Sequence, residues 1–155
     1  MPRSPQPLVT ALTPAEQRVL EQISLGLDPG AGAIALGIAR GTFNRHSTQI
    51  GVKLQVKGAP AKVQMGFVSG ALPQPDALPA PVDFDTRERL LWRAIALHSS
   101  TAAIATHVKV ERFDLPGDTA RLLDKAGASN EAHLVRLGHA YGVLTTEDVP
   151  PPYAA

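Results

Sequence analysis

The sequence predicts an all-α chain built from two tandem four-helix units joined by a proline-rich linker. Three observations carry this expectation. Helix punctuation recurs at a fixed spacing of 72 residues, apolar residues between those marks fall three and four apart, and prolines cluster midway along the chain.

The first unit is assigned to residues 8–72. Thr13-x-x-Glu16 is a capping box that opens a helix over 14–25, with Pro14 in the first turn, where a missing N–H costs nothing. Asp28 and Pro29 open a second, short helix over 29–36. Its Gly30-Ala31-Gly32-Ala33 run makes it weak alone, since each glycine costs ~1 kcal/mol against alanine. A third helix spans 40–54, with Phe43, Ser47, Ile50 and Leu54 on one buried face. A fourth runs over 59–69, with Pro60 in its first turn and Gly70 at its end. Residues 73–82 carry the prolines Pro73, Pro75, Pro79 and Pro81, and read as a stiff, extended linker, whose first nine residues would reach about 28 Å. The second unit is assigned to 83–145, opened by the capping box Asp85-x-x-Glu88, with Ser100 as a cap and Gly142 as a stop. Residues 146–155 and the first seven residues are expected to be disordered ends.

Shifting the chain by 72 positions pairs Glu16 with Glu88, Ile23 with Ile95, Leu25 with Leu97, Ala33 with Ala105, Lys53 with Lys125, Val63 with Val135, Gly66 with Gly138 and Gly70 with Gly142. No gap is needed. Trp92 then falls on the core position of Leu20, so it is expected in the core.

Composition narrows the function. The chain has 155 residues, 44% hydrophobic and only 5% aromatic, so its cores rest on aliphatic residues. Without cysteine there is no disulfide, no thiol chemistry and no cysteine-ligated zinc. No apolar run approaches the ~20 residues of a membrane span, and Met1–Pro7 lacks a signal-peptide core, so a cytoplasmic protein with no membrane partner is expected. The histidines His46, His98, His107, His133 and His139 have no metal-ligand spacing. Glycines 26, 30, 32 and 37 form no phosphate-binding loop. Asp114, Asp118 and Asp124 sit where acids favour a helix dipole. No enzyme, metal or cofactor is expected.

The formal net charge is +1, but it is unevenly spread. Residues 12–72 set Arg18, Arg40, Arg45, Lys53, Lys57 and Lys62 against Glu16, Glu21 and Asp28; residues 83–144 balance to zero. Between Arg40 and Lys62 there is no acid. The outward side of the third helix carries Asn44, Arg45, Thr48, Gln49 and Lys53. Arginine pairs with guanine O6 and N7, and Asn or Gln with adenine N6 and N7, so this face suits a major groove. Lys53, Lys57 and Lys62 lie beyond it and suit phosphates.

Leu12-Thr13-Pro14-Ala15-Glu16, Val19-Leu20, Gly26-Leu27, Leu36-Gly37-Ile38-Ala39-Arg40-Gly41-Thr42-Phe43-Asn44-Arg45-His46 and Lys53-Leu54 are similar to the pattern of the LuxR/GerE-type helix-turn-helix. That pattern reads LTxxExxVL, GL, LGIsxgTVxxH and KL at these spacings. The resemblance covers about residues 12–72. It implies a four-helix DNA-binding domain whose second and third helices form the helix-turn-helix. It also implies base and backbone contacts from Asn44, Arg45 and Thr48, with Thr42 and Lys53 toward phosphates, and His46 matches the family histidine. Together with the polar face and the basic run, this gives expected base contacts from Asn44, Arg45, Thr48 and Gln49, and expected phosphate contacts from Arg40, Thr42, His46, Lys53, Lys57 and Lys62. Three positions depart from it. Ala39 replaces a capping Ser or Thr, at ~1 kcal/mol; Gly32 replaces a core aliphatic; Ala31 replaces a common acid.

Residues 84–144 resemble the same family through Glu88, Leu91, Ile95, Ile104-Ala105, Lys125, Gly127, Val135 and Gly142-Val143-Leu144. Their recognition region does not: Asp114-Leu115-Pro116-Gly117-Asp118 stands in place of Thr42 to His46. Pro116 forces this helix to start later, with Asp114 as its cap. Arg112, Arg121 and Lys125 are left to touch phosphates. The expected function is therefore a nucleoid-associated transcriptional regulator, whose first unit reads double-stranded DNA and whose second assists by backbone or protein contacts. The extended linker would let both units sit on adjacent turns of one duplex. The resemblance also implies a homodimer as a further partner, through the last helix of a unit: Gln64, Phe67 and Val68, or the matching helix of the second unit. The four-helix unit is also similar to the promoter-recognition region of sigma factors. The alternative is thus an adaptor that binds RNA polymerase or another regulator.

Overall fold

The computed structural model describes residues 11–108 and 114–151. These form eight α-helices and no strand: α1 (Pro14–Ser24), α2 (Pro29–Leu36), α3 (Arg40–Leu54), α4 (Ala59–Ser69), α5 (Thr86–Leu97), α6 (Thr101–Val108), α7 (Leu115–Ala126) and α8 (Glu131–Ala140). The expected all-α class is observed, and α1 to α4 start and stop within a residue of the expected bounds.

Local chemistry sets those bounds. Thr13 Oγ1 accepts from the Glu16 N–H while Glu16 Oε1 accepts from the Thr13 N–H, and Asp85 and Glu88 repeat the exchange 72 residues later. Asp28 caps α2 through the Ala31 N–H at 2.8 Å, and Ser100 caps α6 through the Ala103 N–H at 3.0 Å. The start of α7 differs from expectation. Asp114 directly precedes the helix, but its backbone is already helical and its carboxylate accepts no capping bond. An N-cap needs extended backbone to turn its side chain onto the first turn, so Asp114 does not cap.

The repeat extends into the packing. Gly66 lies so close beneath Leu20 and Leu72 that a Cβ would stand 2.7 and 3.0 Å from their methyl groups. Gly138 lies equally close beneath Trp92 and Leu144. Trp92 is fully buried, and its Nε1–H donates to Leu134 O at 2.8 Å. Lys53 pairs with Glu16 at 2.7 Å, and Lys125 with Glu88 at 2.8 Å.

The halves are not held apart. α4 packs along α8, α1 touches α8, α4 touches α5, and one apolar cluster runs through both halves. Residues 73–82 are extended but folded back along α8: the Leu78 N–H donates to Ala140 O at 2.9 Å, and Gln74 Oε1 lies 3.2 Å from His139 Nδ1. The linker therefore does not separate two bodies by 28 Å. The C-terminal segment is also docked rather than free as far as Pro151. Gln64 Nε2 donates to Thr145 O and Asp148 O at 3.0 and 2.6 Å, and Pro150 is buried. The first seven residues and residues 152–155, part of the ends expected to be disordered, lie outside the described residues, as do residues 8–10 at the start of the expected first unit.

Gly32 has a structural reason. It is buried on α2, and a Cβ there would meet the Phe43 ring at 2.5 and 2.7 Å. The large ring at 43 occupies the space that an aliphatic at 32 would take. In a solvated helix Gly→Ala gains ~1 kcal/mol. Here Gly32→Ala is expected to lose about 1–3 kcal/mol by overpacking, and Phe43→Leu in the same chain is expected to recover most of it. Urea unfolding of the three proteins checks this; a single Gly32→Ala variant more stable than the parent would contradict it.

Candidate nucleic-acid interface

α2 and α3 are joined by a tight turn. Gly37 ends α2 in left-handed backbone at φ 67°, and the Ile38 N–H reaches back to Ala33 O at 3.0 Å. Ala39 is extended at the N-cap of α3 and gives no side-chain cap, as its methyl group requires. α3 then lies across α1 and α2, with Phe43, Ile50 and Leu54 buried.

Ser47, expected on that buried face, is half-buried, and its Oγ accepts from Lys62 Nζ at 3.1 Å. The opposite side of α3 presents Arg40, Asn44, Arg45, Thr48 and Gln49, all exposed. Residues 44, 45, 48 and 49 share one strip because helix neighbours recur at three and four. Thr48 Oγ1 rests on Asn44 O at 3.1 Å. Thr42 and His46 flank the strip, half-buried. Val52 continues it at 65% exposure, an apolar position not assigned from sequence. Its signal is an aliphatic one turn beyond Thr48 on a polar face. A methyl-bearing side chain there is suited to a thymine C5 methyl.

The lysines expected on phosphates divide differently. Lys57 is exposed, just beyond α3. Lys53 turns inward to Glu16, whose side chain is 5% exposed. Burial alone raises the Glu16 carboxyl, but hydrogen bonds from Lys53 and Thr13 and the Lys53 charge outweigh it and hold the carboxyl below its usual range. Lys62 is half-buried against Ser47 and Gly51, and its desolvation pushes its ammonium below the ordinary lysine range.

In the second half, α7 takes the sequence positions of α3 and packs against α5 and α8. Pro116 and Gly117 stand for Asn44 and Arg45, followed by exposed Ala120, Arg121 and Asp124. Arg121 is paired with Asp118, which also lies 3.6 Å from Arg87. Lys125 contacts both oxygens of Glu88, at 2.8 and 2.9 Å. Arg112 lies outside the described residues. Cations here are balanced by neighbouring acids, whereas Arg40 and Arg45 have none on their helix. Gln64 and Phe67, expected at a dimer surface, are buried inside the chain against α8, and Val68 is half-buried.

Among the described residues no helix is long and apolar enough to cross a membrane, and no group of three or more His, Asp or Glu could hold a metal. No protein-family model, no curated protein and no solved structure matches the chain.

Proposed function

We propose that this protein is a sequence-specific double-stranded DNA-binding transcriptional regulator, nucleoid-associated in the cell, that lays α3 in the major groove. The observation that carries this reading is the exposed strip Asn44, Arg45, Thr48 and Gln49, borne on a helix held out by a tight turn and free of acids. These side chains offer the donors and acceptors that base edges require. Arg40, Thr42, His46 and Lys57 surround the strip and serve as phosphate contacts.

Gel shifts across salt concentrations, followed by selection from a random duplex pool, test the reading. Arg45→Ala is expected to cost about 1–3 kcal/mol on the selected sequence and to relax preference at one base pair. Arg40→Ala is expected to weaken all duplexes alike and to reduce the salt slope by about one. Absence of binding to any duplex at low salt would overturn the proposal.

One observation favours the adaptor as a second reading. α2 has no charged side chain, and Ile34 stands on it at 83% exposure beside the reading helix. An apolar residue so placed suits a protein such as RNA polymerase docked alongside DNA. Ile34→Glu leaving transcription unchanged while DNA is bound would exclude that contact.

A further inference from the structure

We infer that the second half of the chain is a built-in partner subunit for the first, so that the protein works as a monomer on a single, non-palindromic DNA site. This rests on the DNA-reading proposal for α3. The support is the form of the contact between the halves. In an isologous interface the same patch serves both sides: if position i meets position j, then j also meets i.

Under the 72-residue equivalence, α4 corresponds to α8 and α1 to α5. The central α4–α8 contact maps onto itself, and the α1–α8 contact maps onto α5–α4; both of the latter are present. One set of single residues follows the rule in position. At the end of α1, Gly26 lies against Ser129 and His133 at the start of α8, and its carbonyl accepts from Asn130 at 3.0 Å. The equivalents of Gly26, Ser129 and His133 are His98, Lys57 and Ala61. These three line one cavity of about 220 Å³ between α5 and α4. The exchanged residues thus face one another across a cleft rather than in close contact, while the helix pairs themselves exchange as they do between two subunits of a two-fold dimer.

The interface has also diverged so that the halves suit each other better than themselves. Position 67 is Phe and its equivalent is His139; position 64 is Gln and its equivalent is Arg136. In the chain, Gln64 Oε1 lies 2.6 Å from His139 Nε2, the Phe67 and His139 rings are 4.3 Å apart, and Arg136 donates to Glu21 and Ser24. If α4 met a second α4 in the same register, Gln64 would face Phe67 and lose its buried partner. A surface already filled by α8 is not free for another copy.

The DNA consequence follows from the difference between α3 and α7. Only one of the two equivalent helices carries reading residues, so the target has one read half and no inverted repeat. The test uses the full chain. Sedimentation at micromolar concentration is expected to give a 16.4 kDa monomer, and one chain per duplex on a sequence selected from a random pool. The selected motif is expected to lack two-fold symmetry. Arg45→Ala should weaken binding at least about fivefold, and Arg121→Ala less than about twofold. A stable dimer, two chains on an inverted repeat, or a motif altered by Arg121→Ala would overturn the inference while leaving DNA reading by α3 intact. No binding to any duplex would overturn the DNA reading and the site symmetry with it, whereas the monomer state would still be decided by sedimentation.

Discussion

Lowering the pH from 7 to 4 is expected to destabilise the fold by about 3 kcal/mol through His139 alone. His139 is buried where α8 meets α4 and the linker. Gln64 Nε2 is committed to Thr145 O and Asp148 O, so Gln64 Oε1 faces His139 Nε2 as an acceptor, and Nε2 must carry the ring proton. Nδ1 is then the accepting nitrogen of a neutral ring, satisfied when the Gln74 amide turns its nitrogen inward. Burial pushes the imidazole down to about 4, against an opposing pull from the Asp148 carboxylate. In the unfolded chain the same ring titrates near 6.5. Between these values the unfolded state binds the extra proton, so stability is full above about 6.5, falls as pH drops, and levels off below about 4. Burial lowers His98 and His133 as well, in the same direction. Urea unfolding at pH 7 and pH 4 measures the loss. His139→Gln is expected to be less stable at pH 7 but to lose much less on acidification. An equal loss in both proteins, or a His139 resonance titrating above pH 6, would refute the assignment.

That site shows where legibility in the sequence ends. Helix starts were readable because their causes are local: Thr13 with Glu16, Asp28 with Pro29, and Asp85 with Glu88 act within one turn of chain. α3 was readable as a helix with a polar strip for the same reason. The pairing of the halves was not. Gln64 reads as a residue of a dimer surface and His139 as a histidine without ligand spacing, and only tertiary contact shows that each satisfies the other. The linker misled because proline composition predicts stiffness and not direction. Asp114 misled because the residue type suited a cap, whereas capping also needs extended backbone and Asp114 is already helical. Within the candidate site, polarity marked the exposed face of α3, but it could not tell a lysine pointing outward from one pointing in.

Lys53 is the clearest instance, and its replacement separates the two roles. Lys53→Met leaves Glu16 with the Thr13 contacts alone in a nearly closed site, and is expected to cost about 2 kcal/mol. Lys125→Met removes the equivalent pair, but Glu88 and Lys125 are 24% and 36% exposed, and water stands in for the lost partner. That cost is expected to stay under about 1 kcal/mol. The pH dependence has a definite sign. With Lys53 present, the Glu16 carboxyl sits below its usual range, so the pair's contribution is whole above about 4.5 and is lost as pH falls through the folded value. Without Lys53 the burial that raises the carboxyl is less opposed, and a protonated Glu16 needs no cation. The deficit of Lys53→Met against the parent should therefore shrink on acidification, and the His139 loss, common to both, cancels in the comparison. Equal costs at positions 53 and 125, or a deficit independent of pH, would contradict the inward role. At a temperature where the variant stays folded, a strut leaves the salt slope of DNA binding unchanged. A phosphate contact reduces that slope by about one.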